Sequence, residues 1–380
     1  MDHDTEVLIV GAGIAGASLA AFLSQTRRVV LLEAESQPGY HSTGRSAAMF
    51  MESYGTATIR ALTRASRAFF ENPPAGFAAT PLLAPRGALY VGAPGQRDML
   101  DALEAELRPH TPTLRRLSAA EALARVPVLR PEQVDGALLD PDAADIDVNA
   151  LHQGFLRRAK GNGARLITDA RIASLERRDG IWIAASAAGE WRAPLIVDAA
   201  GAWAEQFAAL AGLPGIGLQP KRRAAFLFPP PAGVDAARWP CVCGVDESWY
   251  FKPDAGQLLG SPANADPVEP QDVRPEELDI ALGIARIEEM TTLAIRRPSH
   301  TWAGLRSFVA DGDLVAGFDP LDQGFFWCAA QGGYGIQTAP AMGELCGAWL
   351  RGEPTPAHIA DQGVDAAYLH VRRLRLASQP

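Results

Sequence analysis

A glycine-rich turn between an apolar run and a helix-like segment constrains the fold of this chain more than any other feature. Residues 7–10 (Val-Leu-Ile-Val) have the length and composition of a buried strand, and residues 11–16 (Gly-Ala-Gly-Ile-Ala-Gly) follow at once and open a helical pattern. Residues 28–32 form a second apolar run, which ends at Glu33. This order of strand, glycine turn, helix and second strand predicts a βαβ unit with parallel strands.

Each glycine of this turn has a physical reason to be there. Gly11 permits the tight turn, Gly13 lets a pyrophosphate approach the backbone, and Gly16 lets the helix pack closely on the strand. The phosphates bind where free N–H groups and the helix dipole favour negative charge, and Glu33 is placed to accept hydrogen bonds from a ribose. The turn therefore predicts a bound dinucleotide; the alternative is a glycine-rich turn without a ligand. The predicted contacts in this unit are Gly11, Gly13, Ile14, Ala15, Gly16, Glu33 and Ala34.

Length and charge exclude several classes of protein. A chain of 380 residues suits two domains, and 48% hydrophobic with 21% charged residues is typical of a globular enzyme. The formal net charge of −9 disfavours a nucleic-acid partner. No apolar run approaches the roughly 18 residues that a membrane span needs, so we expect no transmembrane segment.

The N-terminus and the cysteines narrow the expectation further. Asp2, Asp4 and Glu6 stand where a signal peptide carries positive charge, so the predicted location is cytoplasmic, or peripheral to the inner membrane. Four cysteines do not make a disulfide framework, and Cys241 and Cys243 have no second ligand pair at zinc-site spacing. We therefore expect no metal.

The pattern of strand, glycine turn and helix returns near the end of the chain, around residues 325–338, whereas residues 218–300 carry alternating and aromatic stretches typical of antiparallel strands. The proline- and glycine-rich stretch 72–95 marks a first crossing between domains. The sequence therefore predicts that two domains are each built from separated segments. The predicted boundaries are 1–84, 137–217 and 300–375 for the dinucleotide-binding domain, and 85–136 and 218–299 for the substrate-binding domain.

Two further segments favour a flavin over a nicotinamide cofactor. Residues 42–48 combine small side chains with a single arginine, which suits close contact with a cofactor larger than an adenosine. The turn at 332–335 aims a second helix, expected to begin near Thr338, at the sheet. A positive helix end near a flavin stabilises the anionic reduced ring, although a plain strand-to-helix connection is the alternative.

With these segments in view, the chain resembles the D-amino acid oxidase family of flavoproteins, and within it the group of bacterial D-arginine dehydrogenases. The matching segments are 11–16, 37–48, 219–223, 250–256, 302–308 and 331–338. The resemblance implies an α/β fold, with a Rossmann-type FAD-binding domain of the glutathione-reductase-like kind and an α+β substrate domain with an antiparallel sheet. It implies non-covalent FAD and adds, as cofactor contacts, Ser42, Thr43, Gly44, Arg45, Ser46, Ala47, Ala48, Met49, Ile172, Gly201, Gly304, Gly332, Gly333, Tyr334, Gly335, Ile336, Gln337 and Thr338.

The same resemblance implies roles for four polar residues. Arg306 matches the arginine that pairs with a substrate carboxylate, and Arg223 matches a second charge beside it. A planar guanidinium suits this role because it meets a carboxylate with two parallel charge-assisted hydrogen bonds. Tyr250 and Tyr54 match tyrosines that border the substrate; a surface position for the arginines and a packing role for the tyrosines are the alternatives. The resemblance places Met49, Phe50, Met51, Ala88, Trp249 and Gly333 in the substrate pocket.

The chain departs from the arginine-selective group at two of these positions. Ala88 stands where those relatives carry an acid for the substrate guanidinium, and Met49 replaces a family histidine. A cationic side chain that loses its buried partner loses a few kcal/mol, on the order of a thousandfold in affinity. We therefore expect a preference for neutral or hydrophobic D-amino acids.

The implied reaction is oxidative deamination of a D-amino acid to a 2-oxo acid and ammonia through an imino acid, with a hydride passing from Cα to flavin N5. The electron acceptor stays open between a quinone, an electron carrier and O₂. Two alternatives also stay open: oxidation of glycine, sarcosine or a 2-hydroxy acid on the same fold, and a dinucleotide-binding protein without turnover.

Overall fold

The computed structural model describes residues 4–376; residues 1–3, at the start of the first predicted segment, lie outside this range. The strands are β1 (Val7–Val10), β2 (Val29–Leu32), β3 (Met49–Phe50), β4 (Leu83–Pro85), β5 (Ala88–Gly92), β6 (Arg115–Leu117), β7 (Gly136–Asp140), β8 (Ala144–Ile146), β9 (Arg165–Ile167), β10 (Ile172–Arg178), β11 (Ile181–Ser186), β12 (Gly189–Ala193), β13 (Leu195–Asp198), β14 (Gln219–Phe228), β15 (Cys241–Gly244), β16 (Tyr250–Asp254), β17 (Gln257–Ser261), β18 (Asp266–Pro267), β19 (His300–Phe308), β20 (Val315–Asp319) and β21 (Asp322–Ala329).

The helices connect these strands and cover their faces. They are α1 (Ile14–Leu23), α2 (Ala57–Glu71), α3 (Arg97–Leu107), α4 (Ala119–Arg125), α5 (Val148–Gly161), α6 (Ala204–Leu210), α7 (Glu277–Met290), α8 (Gly335–Leu350), α9 (Ala357–Ala360) and α10 (Arg372–Leu376). Within residues 4–376, none of them is both long and apolar enough to cross a membrane.

A six-stranded sheet with the order β20-β21-β13-β1-β2-β9 forms one half of the molecule. Its strands from β21 to β9 run parallel, and β20 pairs antiparallel at the edge. Helices α1, α5 and α8 pack beside it, and their apolar residues join those of the central strands in a continuous buried core. Parallel strands with helical crossovers are the expected Rossmann-type arrangement.

The glycine turn has the local geometry that its sequence predicts. Gly11 has φ of 102°, which L side chains rarely adopt, and a Cβ there would overlap the carbonyl of Ala199 on the neighbouring strand connection. A Cβ on Gly16 would overlap the carbonyl of Gly11. Both glycines are therefore required by the close approach of α1 to β1 and β13.

A second sheet, of nine strands, forms the other half. Its order is β18-β14-β17-β16-β15-β5-β7-β6, with β19 paired to β14, and its pairs are antiparallel except for β15 with β5. Strands β7 and β19 therefore belong to this sheet by hydrogen bonding, although the predicted boundaries at 137 and 300 assign most of both to the other domain. The boundaries themselves stay a prediction.

The last turn and helix differ from the expectation in one respect. Helix α8 begins at Gly335, three residues before the expected start near Thr338. The chain turns through Gly332, whose φ is 54°, so the helix can open immediately behind the turn. As a result the N-terminus of α8 lies closer to the sheet edge than the sequence indicates.

Candidate active site

Two adjoining cavities are lined by residues from both halves of the molecule, the half with the six-stranded sheet and the half with the nine-stranded sheet. The first, the arginine cavity, is lined by Arg223, Arg306, Tyr54 and Tyr250 among others; the second, the dinucleotide cavity, is lined by Gly11, Gly13, Glu33 and Gly201 among others. Both are lined by Ile14, Ser42, Thr43, Leu305, Gln331 and Gly332. Because they share these walls, one elongated ligand can reach from Glu33 to the neighbourhood of Arg306.

The dinucleotide cavity presents a carboxylate beside the glycine turn. The two oxygens of Glu33 accept hydrogen bonds from the backbone N–H of Ala12 at 2.8 Å and of Glu35 at 3.0 Å. A carboxylate oxygen has two lone pairs, so each retains one for a ribose hydroxyl. At the start of α1, the hydroxyl of Thr43 accepts from the N–H of Ile14 at 3.0 Å.

The glycine turn is also supported from behind. The Nε2 atom of buried His152, on α5, lies 2.8 Å from the carbonyl oxygen of Ala12. Burial lowers the pKa of His152, so its neutral imidazole donates this bond. On the opposite wall, Gly201 has φ of 60° and a Cβ there would meet no protein atom, which leaves open space for a ligand. The residues present therefore fit an extended dinucleotide.

Most predicted cofactor contacts line one of the two cavities. Those that do are Gly11, Gly13, Ile14, Ala15, Glu33, Ala34, Ser42, Thr43, Arg45, Ser46, Ala47, Ala48, Met49, Ile172, Gly201, Gly304, Gly332, Gly333, Gly335, Ile336 and Gln337. The guanidinium of Arg45, however, pairs with Asp272 and also donates to the carbonyls of Val273 and Ala303, so it ties two segments together.

Four predicted cofactor residues line neither cavity, and their contact with the cofactor stays a prediction. Gly16 packs α1 against the turn, and the N–H of Gly44 donates to the carbonyl of Gly39. Thr338 is fully buried in the first turns of α8 and donates to the carbonyl of Tyr334. The ring of Tyr334 itself stands beside Tyr54 and Arg306.

Arg306, on β19, is held in place by aromatic side chains. Its Nη2 donates to the hydroxyl of Tyr54 at 2.8 Å, and its guanidinium carbon lies 5.4 Å from the ring centre of Phe308 and 5.7 Å from that of Tyr334. Within residues 4–376, no carboxylate lies within 4.0 Å of this guanidinium. Burial alone lowers the pKa of Arg306, but the surrounding tyrosines outweigh it and the pKa is raised, so the group stays charged.

Arg223 lies on the neighbouring strand β14, two positions from Lys221, which is the partner of Arg306 in the antiparallel register. Its Nε donates to the carbonyl of Asn264 at 2.6 Å, and the described part of the chain places no carboxylate within ion-pair distance of it. Burial and the positive charge of Arg306 lower the pKa of Arg223. Two guanidinium groups thus face one cavity without a carboxylate at ion-pair distance among the described residues, which makes it suited to an anion.

The structure divides the six predicted pocket residues. Met49, Met51, Trp249 and Gly333 line the arginine cavity, whereas Phe50 and Ala88 do not. Phe50 alternates to the other side of β3 and is buried against Phe70. Ala88 is fully buried on the face of β5 that also carries Tyr90, which does line the cavity. The structure thus does not bring Phe50 and Ala88 to this cavity, and their place in the substrate pocket stays a prediction.

Three residues that the sequence did not assign to the substrate pocket complete the wall. Tyr90 on β5 lies in register with Cys243 on the parallel neighbour β15, and both line the arginine cavity with Cys241. The two sulfur atoms lie 3.7 Å apart. No local pattern brings these residues together; only the pairing of β5 with β15 does so. Across residues 4–376 no cluster of three or more His, Cys, Asp or Glu side chains could hold a metal ion.

Glu247 is the other residue that the sequence did not indicate. It is an exposed residue in the turn between β15 and β16, and it lines the arginine cavity. Its φ of 53° lies in the left-handed region, as do those of Ala48 and Ala263, which line the same cavity. Backbone strain of this kind costs on the order of 1–3 kcal/mol at each residue and clusters at functional sites.

Comparisons with known proteins agree with this geometry. Residues 6–349 match the family model described as DAO, FAD dependent oxidoreductase. The structure is similar to glycine oxidase from Geobacillus kaustophilus, with a TM-score of 0.82, 20% identity, and coverage of 96% of this chain and 99% of that one. It is also similar to iminodiacetate oxidase (IdaA) from Chelativorans sp. BNC1, with a TM-score of 0.78, 25% identity, and coverage of 93% and 97%.

A curated relative matches over a shorter stretch. The "FAD-dependent oxidoreductase domain-containing protein 1" of Bos taurus is 27% identical over 168 residues, which cover 39% of this chain and 34% of that protein. The match thus spans about a third of the relative's length.

Proposed function

The chain belongs to the FAD-dependent oxidoreductase family, and from this membership we propose that it oxidises D-amino acids to imino acids, which water converts to 2-oxo acids and ammonia. Its cofactor is FAD, which when bound accepts the hydride that leaves the substrate Cα. The residues around Glu33 and the glycine turn would hold the adenosine and pyrophosphate parts, and the arginine cavity would lie against the reactive ring.

The pair of guanidinium groups is the observation that carries this proposal. Arg306 and Arg223 face the same cavity without a carboxylate partner among the described residues, and Tyr54 and Tyr250 line it beside them. A substrate carboxylate would supply the missing partner through charge-assisted hydrogen bonds. Such a pair fixes one end of the substrate, and orientation of this kind contributes much of a rate enhancement.

The same charges act on the substrate nitrogen. The amine must lose a proton before a hydride can leave Cα, because the nitrogen lone pair forms the C=N bond. Positive charge nearby disfavours the ammonium form and therefore lowers its pKa. Arg306 and Arg223 thus orient the carboxylate and favour the reactive state of the amine.

The wall around the rest of the cavity supports a neutral or hydrophobic substrate side chain. Met49, Met51, Tyr90, Cys243 and Trp249 contribute mainly apolar surface. Apolar side chains gain about 25 cal/mol per Å² buried on such a wall, whereas a cation gains nothing from it. The D configuration rests on the sequence resemblance to D-amino acid oxidases.

Glu247 favours a second candidate, a substrate with a cationic side chain. Glu247 is an exposed residue that lines the cavity, and its carboxylate could pair with an ammonium or guanidinium group of the substrate. Because Glu247 is exposed, such a pair would contribute only about 0.2–1 kcal/mol. This gain is smaller than the gain of about 1.5–3 kcal/mol from a fully buried hydrophobic side chain, so we favour a substrate with a neutral side chain.

Anaerobic titration of the holoenzyme tests both candidates. We expect D-leucine, D-methionine and D-phenylalanine to bleach the visible flavin absorbance and their L-enantiomers, as matched controls, to leave it unchanged. Values of kcat/KM for these substrates and D-arginine then rank the side chains, and a strong preference for D-arginine would contradict the neutral pocket. Bleaching only by glycine, sarcosine or a 2-hydroxy acid would replace the proposed substrate class, and no bleaching by any of them would indicate a protein without turnover.

A further inference from the structure

A chain of three buried polar side chains leads away from the arginine cavity. Tyr90, which lines the cavity, has its hydroxyl 2.9 Å from the hydroxyl of Ser53, and Ser53 lies 2.6 Å from Oδ2 of Asp140. Ser53 and Tyr90 are each 4% exposed and Asp140 is 1% exposed. The three side chains therefore form a buried chain of hydrogen bonds, and among them only Tyr90 lines the arginine cavity.

The carboxylate sets the direction of this path. An ionised Asp140 only accepts, so Ser53 donates to it, and Ser53 must then accept from Tyr90. The hydroxyl oxygen of Tyr90 consequently keeps a lone pair for a donor inside the cavity. A substrate ammonium is such a donor.

We propose that Tyr90, Ser53 and Asp140 form a relay that takes the proton released by the substrate ammonium. The inference rests on the proposed function, since it requires a substrate amine. As the N–H bond breaks, its proton bonds to the Tyr90 oxygen, the Tyr90 proton moves to Ser53, and the Ser53 proton bonds to Oδ2 of Asp140. The ammonium becomes a neutral amine and the carboxylate a carboxylic acid; after the product leaves, the proton returns to water through the same hydroxyls.

The electrostatic surroundings agree with this role. Burial raises the pKa of the Asp140 carboxyl, against the hydrogen bonds from Ser53 and the Asp142 backbone that lower it. Asp142 on the same loop also raises the pKa of Asp140, and Arg67 on α2 lowers it. A raised pKa of the Asp140 carboxyl lies nearer to the pKa of the substrate ammonium, so proton transfer between them costs less free energy.

The charged groups around Tyr90 act in the same direction. Burial, then Cys243, Asp140 and Glu247 raise the pKa of Tyr90 well above its ordinary value. Tyr90 therefore stays protonated and passes a proton on without forming a phenolate.

Three substitutions interrupt the relay at different points. Tyr90→Phe and Ser53→Ala each remove one hydroxyl. Asp140→Asn keeps the shape, but its carbonyl oxygen is needed by the Asp142 N–H at 3.1 Å, so its NH₂ group points at Ser53 and reverses the hydrogen bond. Ser66→Ala is the matched control, because Ser66 is equally buried, donates to the carbonyl of Leu62 and lines neither cavity.

The experiment follows anaerobic flavin reduction of each holoenzyme by D-leucine, D-methionine and D-phenylalanine from about pH 6 to about pH 10. At a pH where the free amine is deprotonated, we expect the rate of flavin reduction in the relay variants to equal that of the wild type. Below that pH the rate in these variants should fall about tenfold for each pH unit, while the rate in Ser66→Ala follows the wild type. FAD content and Tm identify a variant that fails to fold; Ser53→Thr, which keeps the hydroxyl, should restore the wild-type pH profile.

The outcomes separate the two proposals. Relay variants that are slowed equally at every pH, or not at all, overturn the relay and leave the proposed function intact. A wild-type holoenzyme that no D-amino acid reduces at any pH overturns both, and reduction with the predicted pH dependence supports both.

Discussion

The position of the Arg306 guanidinium depends on a glycine, and this dependence can be tested with one methyl group. A Cβ built on Gly333 overlaps Nη2, Cζ and Nε of Arg306, far inside van der Waals contact. Gly333 does not have a positive φ, so alanine is compatible with its backbone. The methyl group therefore displaces the guanidinium by more than about 1 Å while the fold is kept.

The expected loss follows from the interactions that this shift breaks. Arg306 leaves its 2.8 Å hydrogen bond with Tyr54 and its place for the substrate carboxylate. A misplacement of about 1 Å costs on the order of 10²-fold in rate, and two charge-assisted hydrogen bonds at about 1.5–3 kcal/mol each give a similar or larger figure. We expect Gly333→Ala to lower kcat/KM for D-leucine by about 10²- to 10³-fold, with a change of less than about 1 kcal/mol in stability.

Controls assign the effect to the arginine. Gly161→Ala adds a methyl group at the end of α5 where a Cβ meets no atom, and it should leave kcat/KM unchanged. Arg306→Lys removes the overlapping fork, so adding Gly333→Ala to it should cost little more, and the double-mutant cycle should show strong coupling. If Gly333→Ala keeps kcat/KM within about twofold of the wild type, or costs as much in the Arg306→Lys background, the reasoning is refuted.

Three further outcomes follow from charged groups in the structure. Glu247→Gln should lower kcat/KM for D-arginine relative to D-leucine by up to about fivefold, the range of an exposed ion pair; an unchanged ratio would separate Glu247 from substrate recognition. Because burial lowers the pKa of His152, this side chain is protonated in the unfolded chain but not in the folded protein as the pH falls below about 6.5. Tm should therefore drop below this pH, and the drop should be smaller in His152→Asn. Because burial raises the pKa of Asp198, its contribution to stability is present at low pH and is lost as the pH rises above about 3.9, where the unfolded chain loses this proton first. Asp198→Asn should therefore raise Tm at neutral pH and not near pH 3. An equal change in Tm at both pH values would contradict this.

The local features of the fold could be predicted because the interactions that form them are local. The turn at 11–16 lies between a strand and a helix as expected, and the local spacing of Ser118 and Glu121 forms a capping box at the start of α4. The predicted family, fold class and FAD cofactor are confirmed by the family match over residues 6–349. The resemblance to D-arginine dehydrogenases within that family stays a prediction.

Residues assembled by long-range pairing could not be predicted in the same way. Tyr90 and Cys243 meet through the parallel pairing of β5 with β15, which no local periodicity indicates. Asp140 ends β7, and its bond to Ser53 depends on the loop between β3 and α2 reaching that strand. The start of α8 at Gly335 was missed because the glycine turn reads as a longer connection.

The difference between residues in local motifs and residues assembled by long-range pairing also bears on substrate selectivity, because the residues that would set it lie outside the motifs that identify the family. Arg306 and the glycine turn lie in matching segments, and in the proposed function they would fix the carboxylate and the cofactor whatever side chain the substrate carries. Ala88, where the sequence indicates a lost negative charge, is fully buried and does not line the cavity. A negative charge returns to the same cavity from Glu247, in a turn about 160 residues further along the chain. In the proposed function, the preference between neutral and cationic substrates is therefore decided by how well the apolar wall competes with one exposed carboxylate, and both lie at positions where a family match carries no information.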